Sequence, residues 1–119
     1  MKIRSFATAA VFASLLAGSA AMHAENTVSD HDVLTPGAHM TYSNISMAGG
    51  QQGAVAVKGD GSSSLHVGLY DYNDNLIAQT TCRFSTCVLT WVAYRNADFY
   101  VVVDNLGNSS TDYGFAVSR

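Results

Sequence analysis

Between Leu65 and Tyr70 apolar and small or polar side chains alternate without a break. Leu65, Val67 and Leu69 point one way; His66, Gly68 and Tyr70 point the other. A period of two marks a strand with one face on a core and one face in water. Similar runs recur along the chain. His39–Met47 offers Met40, Tyr42 and Ile45 to one face, and Ala54–Lys58 offers Val55 and Val57. Leu76–Thr80 returns from the turn Asp71-Tyr72-Asn73-Asp74-Asn75 as the second arm of a hairpin. Val88–Tyr94 places Leu89 and Trp91 together. Phe99, Val101 and Val103 alternate with Tyr100, Val102 and Asp104, and Tyr113, Phe115 and Val117 form the last run. Between the runs stand turn-formers: Gly49-Gly50, Gly59-Asp60-Gly61, Arg95-Asn96 and the polar stretch Asn105–Asp112. Glycine and Asx residues take positive φ cheaply, so these segments reverse the chain. Short strands at about ten-residue spacing predict an antiparallel sandwich. No run beyond residue 24 keeps a helical period. The fold expected is all-β, a small antiparallel β-sandwich of jelly-roll type with seven or eight strands. The expected core is Val55, Val57, Leu65, Val67, Leu69, Leu76, Leu89, Trp91, Phe99, Val101, Val103, Phe115 and Val117.

The first 24 residues break this pattern. Lys2 and Arg4 precede an apolar run from Phe6 to Ala17, followed by the small residues Gly18–Ala21 and then Met22-His23-Ala24. A basic start, a short apolar stretch and a small-residue end describe a secretory leader. The run is shorter than the roughly 20 residues that span a bilayer. Cleavage is expected after Ala24, with Ala21 as the second choice. The expected organisation is therefore a leader at 1–24, a polar N-terminal arm at 25–38 and a β-sandwich at 39–119. The protein is expected in the periplasm or outside the cell, with no membrane insertion once the leader is gone.

Processing shifts the charge. Lys2 and Arg4 leave with the leader, so four basic residues face nine acids and the remaining 95 residues carry a net charge of about −5. That balance speaks against nucleic acid, which demands clustered Lys and Arg. It speaks equally against anionic membrane surfaces. Export also decides the reading of the two cysteines, Cys82 and Cys87. An even count in an oxidising compartment makes a structural disulfide. Redox-active pairs are usually separated by two residues at a helix start, and this pair is separated by four with no helix signal.

A wider pattern now stands out. Gly59-Asp60-Gly61, the strand Leu65–Tyr70 and Asp71-x-x-Asp74-Asn75-Leu76-Ile77-Ala78 come in order. Asp98-Phe99-Tyr100-Val101-Val102-Val103-Asp104-Asn105-Leu106-Gly107 follows, and Tyr113-Gly114-Phe115 closes the series. Over about residues 53–117 the chain resembles the bacterial pre-peptidase C-terminal domain. The resemblance implies a compact, non-catalytic β-sandwich related in shape to the collagen-binding modules of secreted proteases. Such domains usually trail a peptidase, and some relatives bind calcium or matrix. Two features depart from the family. The domain follows the leader directly, and Asp74 stands where the hairpin turn usually has glycine.

Candidate chemistry is sparse. Asp71-x-Asn73-x-Asn75 begins like a calcium loop, but Leu76 and Cys82 occupy the positions where an EF-hand needs glycine and glutamate. A looser calcium site at a sandwich edge would draw on Asp60, Asp71, Asp74 or Asp104; the alternative is that these acids cap turns. His31, flanked by Asp30 and Asp32, His39 and His66 are too scattered along the chain to announce zinc. No Gly-x-Ser-x-Gly elbow or phosphate loop occurs, so no enzyme is expected. Tyr70, Tyr72, Tyr94 and Tyr100 are candidates for a shared outward face, since tyrosine offers a rigid apolar body with a polar tip. The alternative is that they simply fill strand positions. With the turn residues Asn73 and Asn75, Tyr70, Tyr72 and Tyr94 make the binding candidates. The expected function is a non-catalytic exported module that binds an envelope or extracellular protein or a glycan. The alternatives are a calcium-stabilised structural or stress-related envelope protein and an accessory factor of a secreted peptidase.

Overall fold

The computed structural model describes residues 2–5, 27–84 and 86–119. Among them every regular element is a strand. β1 is Lys2–Ser5, β2 Thr27–Leu34, β3 His39–Met47, β4 Gln52–Gly59 and β5 Leu65–Asp71. β6 is Leu76–Cys82, β7 Cys87–Val92, β8 Ala97–Asn105 and β9 Thr111–Ser118. One sheet has the order β1-β3-β8-β5-β6 and the other β2-β9-β4-β7. From β2 onward every pairing is antiparallel. Two four-stranded antiparallel sheets in this order are a jelly roll, and β1 adds a short parallel strand beside β3.

The topology has a simple origin. Thr27 faces Ser118, His39 faces Asp104, Gln52 faces Val92 and Leu65 faces Cys82. The chain is one long hairpin, turned at residues 71–75, whose two arms pair along their whole length. Rolling that ribbon up brings β5 beside β8 and β4 beside β9. In β7 and β8 every second residue is buried, whereas β4 buries five in a row from Gly53 to Val57 and the edge strand β6 buries none. Val55, Val57, Leu65, Val67, Leu69, Val101, Val103, Phe115 and Val117 are essentially inaccessible, as the alternation predicts. Leu76 differs: it is 46% exposed. β6 is an edge strand with no neighbour beyond it, so its first residue has nothing to pack beneath.

The segment expected as a polar arm is corrected by the structure. Thr27–Leu34 is β2, paired with β9 over its full length. Val28 and Leu34 enter the core, while Asp30 and Asp32 sit half-buried on the same inward face. The acids are tolerated because the interior here is polar. The Tyr42 hydroxyl donates to Asp30 Oδ2 at 3.0 Å and lies 2.6 Å from the Tyr113 hydroxyl, which then serves as donor to it. Burial, followed by the bonds to Tyr113 and Asp30, pushes the Tyr42 pKa far above the ordinary tyrosine value. The ring of Tyr42 stacks on Phe115 across the sheets, with centroids 3.7 Å apart. Residues 6–24, the body of the expected leader, lie outside the described residues; Lys2–Ser5 from its start forms β1. Among the described residues no helix is long and apolar enough to cross a membrane.

Two local devices hold the roll. The disulfide Cys82–Cys87 joins the end of β6 to the start of β7, so it ties one sheet to the other. A bulge in β3 between Tyr42 and Ile45 places Asn44 at φ 62°. That left-handed conformation suits glycine or asparagine and strains other side chains. Reducing the disulfide should lower unfolding free energy by about 2 kcal/mol in denaturant melts, the value for so short a loop. Asn44→Ala should cost about 1 kcal/mol in the same melts while Asn44→Gly leaves stability nearly unchanged; equal losses would contradict the bulge geometry.

Candidate functional site

Three connections, β3–β4, β5–β6 and β7–β8, gather at one end of the sandwich. The β5–β6 turn is shaped by Asp71. Its Oδ1 accepts the amides of Asn73 (2.9 Å) and Asn75 (3.0 Å), and its Oδ2 accepts the Asn75 side chain at 3.1 Å. These bonds, those from Asn75 foremost, hold the Asp71 carboxyl below the usual carboxylate range. Asp74 has φ 65°. Asp74 Oδ1 also accepts the Tyr100 hydroxyl at 2.7 Å, and that bond is the main cause of a Tyr100 pKa pushed up to about 12.

The β7–β8 connection is fixed to the β3–β4 turn. Gly50 N–H donates to the Ala93 carbonyl, Ala93 N–H to the Gln51 carbonyl and Gly49 N–H to Asn96 Oδ1. Ser46 Oγ reaches Asp98 Oδ1 at 2.7 Å. Between this loop pair and the β5–β6 turn lies a cavity of about 380 Å³ whose lining includes Asp71, Tyr72, Asn73, Ile77, Trp91, Tyr94, Arg95 and Phe99. A shallower depression of about 550 Å³, lined by Ser46, Met47, Asn96 and Asp98 among others, adjoins it, with Tyr72 on the border of both.

Trp91 backs the cavity. Its ring packs edge-on to Phe99 with centroids 5.8 Å apart. It also lies directly over Gly53, where a Cβ would come within 2.7 Å of the indole. Its buried Nε1 has no hydrogen-bond partner among the described residues. In contrast, Tyr72 is 70% exposed and Tyr94 98%. The site therefore combines a fixed aromatic floor, two projecting phenols and several planar polar groups.

The sequence candidates separate into three sets. Tyr72, Asn73 and Tyr94 meet at the cavity. Asn75 serves the turn through Asp71. Tyr70 does not share their face: it stacks on Tyr100 across β5 and β8, with centroids 5.0 Å apart, on the outer side of the first sheet. Trp91, Arg95 and Asn96 were missed. Trp91 reads as core, and the other two read as loop breakers; nothing in the chain order announces that the β7–β8 loop faces the β5–β6 turn.

The four acids considered for calcium lie on separate structures, apart from Asp71 and Asp74 in one turn. Among the described residues no three His, Cys, Asp or Glu side chains gather into a metal-holding group. Asp60 works at the opposite end of the sandwich. It accepts the Ser62 hydroxyl (2.5 Å) and amide (2.9 Å), the Thr111 hydroxyl (2.8 Å) and the Asp112 amide (3.1 Å). These bonds, led by those from Ser62, hold its carboxyl far below the usual range. Asp104 lies between His39 (3.9 Å) and His66 (3.5 Å) on neighbouring strands, and His66 Nε2 bonds Gln79 at 2.9 Å. His31 lies on β2, exposed on the outer side.

No family model matches the sequence, and no curated protein matches it either. Solved structures do. The pre-peptidase C-terminal domain of a collagenase from Bacillus anthracis superposes with a TM-score of 0.67 at 16% identity, over 77% of this chain and 89% of that one. PliG of Aeromonas hydrophila, a periplasmic inhibitor of g-type lysozyme, superposes with a TM-score of 0.60 at 14% identity, over 98% and 96%. The C-terminal CBM6 of LamC, from Zobellia galactanivorans, gives 0.52 at 8%, over 79% and 100%. The resemblance to the pre-peptidase C-terminal domain is borne out as a likeness of fold.

Asp60 and Asp71 set an acid limit on this fold. In the unfolded chain their carboxyls titrate near about pH 4. Groups held lower in the folded protein favour folding fully above that pH, and the contribution is lost as pH falls toward their folded values. Urea melts between about pH 5 and pH 2 should show a steep loss of stability that is shallower in Asp60→Asn. Identical slopes would uncouple Asp60 from the acid transition.

Proposed function

We propose that the protein is an exported, non-catalytic binding module that holds a glycan chain at the Tyr72–Tyr94 end. The observation that carries this reading is the pair of exposed phenols flanking a cavity with Trp91 and Phe99 behind it. Flat aromatic faces suit the apolar faces of sugar rings, and Asp71, Asn73, Arg95 and Asn96 supply donors and acceptors for hydroxyl groups. The cavity's size falls in the range of small-ligand sites. An acceptor on the ligand would also satisfy the buried Trp91 Nε1–H. The loops around the site are held by backbone hydrogen bonds, so little ordering cost opposes binding. The disulfide and the leader-like N-terminus support export, and the likeness to a carbohydrate-binding module and to a protein inhibitor supports a binding role over catalysis.

Pull-down on insoluble envelope and matrix polysaccharides, followed by calorimetry with soluble fragments, tests the assignment. Retention should fall at least about tenfold in Tyr72→Ala with Tyr94→Ala, the loss expected for two stacking contacts, while the melting temperature stays unchanged. Retention of a protein in place of any glycan, with the same dependence on Tyr72 and Tyr94, would turn the reading to a protein partner. Binding indifferent to both substitutions would remove this face.

A further inference from the structure

β6 is the outer strand of the first sheet. A sheet margin carries unpaired backbone donors and acceptors, and proteins commonly guard it with charge, proline or a covering segment. The opposite margins of this roll follow that rule: β1 covers β3, and β2 carries Asp30 and Asp32. β6 does not. Leu76–Cys82 holds no charged residue, no proline and no glycine. Among the described residues it pairs with β5 and with no other strand. Its side chains are as open as its backbone. Leu76 and Ile77 are 46% and 45% exposed, and Phe84, just past the end of the strand, is 82% exposed. A free backbone row beside an apolar margin is a template for another strand.

The charges flanking β6 say which strand fits. Asp71 and Asp74 stand just before it, and Arg83 stands just after it. Arg83 is held in place: its Nε donates to the Gly61 carbonyl at 3.3 Å, and its guanidinium lies 5.1 Å from the centre of the Phe84 ring. A second β6 laid antiparallel, with all seven residues overlapping, puts Gln79 opposite Gln79 and Leu76 opposite Cys82. The Arg83–Phe84 end of each copy then comes beside Asp74 and Leu76 of the other. Opposite charges meet at both ends, exposed apolar side chains meet with them, and no like charges oppose each other along the strand. The last point matters for this chain. At a net charge of about −5 beyond residue 24, two copies repel as wholes, and β6 lets them meet along a charge-free line.

We propose that the protein forms a twofold dimer by antiparallel pairing of β6 with β6 of a second copy, which joins the two first sheets into one continuous sheet. Main-chain hydrogen bonds along Leu76–Cys82 hold the pair, as in other strand-addition contacts, and the same patch serves both copies. Arg83 with Asp74 sets the direction. Ile77 belongs both to this interface and to the wall of the Tyr72 cavity, so each cavity lies against the second copy and the two cavities open at opposite poles. The dimer does not rest on the glycan reading. Its test uses no sugar, and Gln79 and Arg83 lie outside the lining of the cavity.

The test is sedimentation of the oxidised protein purified from the exported fraction, joined to amide-exchange mass spectrometry. The expected result is a concentration-dependent shift from one chain mass to two, with exchange within Leu76–Cys82 slowing as concentration rises. Gln79→Lys should weaken the dimer at least about tenfold, because two like charges would face each other at the axis. Gln79→Glu should do the same. An equimolar mixture of the two variants should pair more tightly than either alone, since opposite charges then meet. Gln79 also bonds His66; recovery in the mixture shows that both variants are folded. Arg83→Glu should weaken the dimer as well. A single chain mass at every concentration up to about 1 mM would overturn the proposal. So would variants that pair as tightly as the parent, a mixture no tighter than its components, or slowed exchange at another margin. Uptake of an extended segment of a different protein on β6, by a chain that stays single, would overturn it too.

Discussion

The long-hairpin pairing is the constraint from which the rest of this structure follows. Once the chain turns at Asp71–Asn75, each strand has a fixed antiparallel partner, and each later pairing encloses the one before it. Among the ladders of the described residues, that of β5 and β6 joins the strands nearest in sequence. The β4–β7, β3–β8 and β2–β9 ladders close progressively larger loops, whose entropic cost must be met before their contacts reward it. The turn therefore has two duties. It starts the most local ladder of the roll, and it carries the wall of the candidate binding cavity. Its hydrogen bonds to Asp71, and the left-handed Asp74 tied to Tyr100, serve both.

Between the sheets the core changes character from one side to the other. Near β5 and β8 it is aliphatic: Val67, Leu69, Val101 and Val103 fill it. Toward β2 and β3 it becomes aromatic and then polar, from Phe115 through Tyr42 and Tyr113 to Asp30. A buried hydroxyl pair ending on a carboxylate specifies how β2 and β3 sit across from each other more sharply than aliphatic contacts do, because a shift would leave polar atoms unpaired. At the far end Asn105 acts in a similar way. Its side chain donates to the Leu34 and Ser109 carbonyls and accepts from Gly107, which pins the β8–β9 loop against β2.

Much of this architecture was legible in the residues. The period of two in β5, β8 and β9 gave the strands and their inward faces, and the Asp-x-x-Asp-Asn turn gave the hairpin. β2 was hidden because Asp30 and Asp32 occupy inward positions where alternation demands apolar side chains; the Tyr42 hydroxyl that receives Asp30 is remote in sequence. Leu76 misled for the converse reason, since an apolar residue on an edge strand looks like core until its missing neighbour is known. At the cavity, Tyr72, Asn73 and Tyr94 were recognisable as candidates by type. Their meeting with Trp91 and Arg95 depends on which loops share an end of the roll, and that is a property of strand order, which alternation does not encode.

Thr27 and Ser118 face each other across β2 and β9. Directly opposed residues on antiparallel strands lie about 5 Å apart. Ala54, beside Ser118, sits near the β3–β4 turn, so this meeting point belongs to the same end as the cavity. A fusion partner or surface tether attached beyond Ser118 would thus crowd the very face that carries Tyr72 and Tyr94. Closing 118 to 27 with a few residues, and reopening the chain in the loop at 106–110, would give a circular permutant. It would keep every β2–β9 ladder bond while moving both attachment points to the opposite pole.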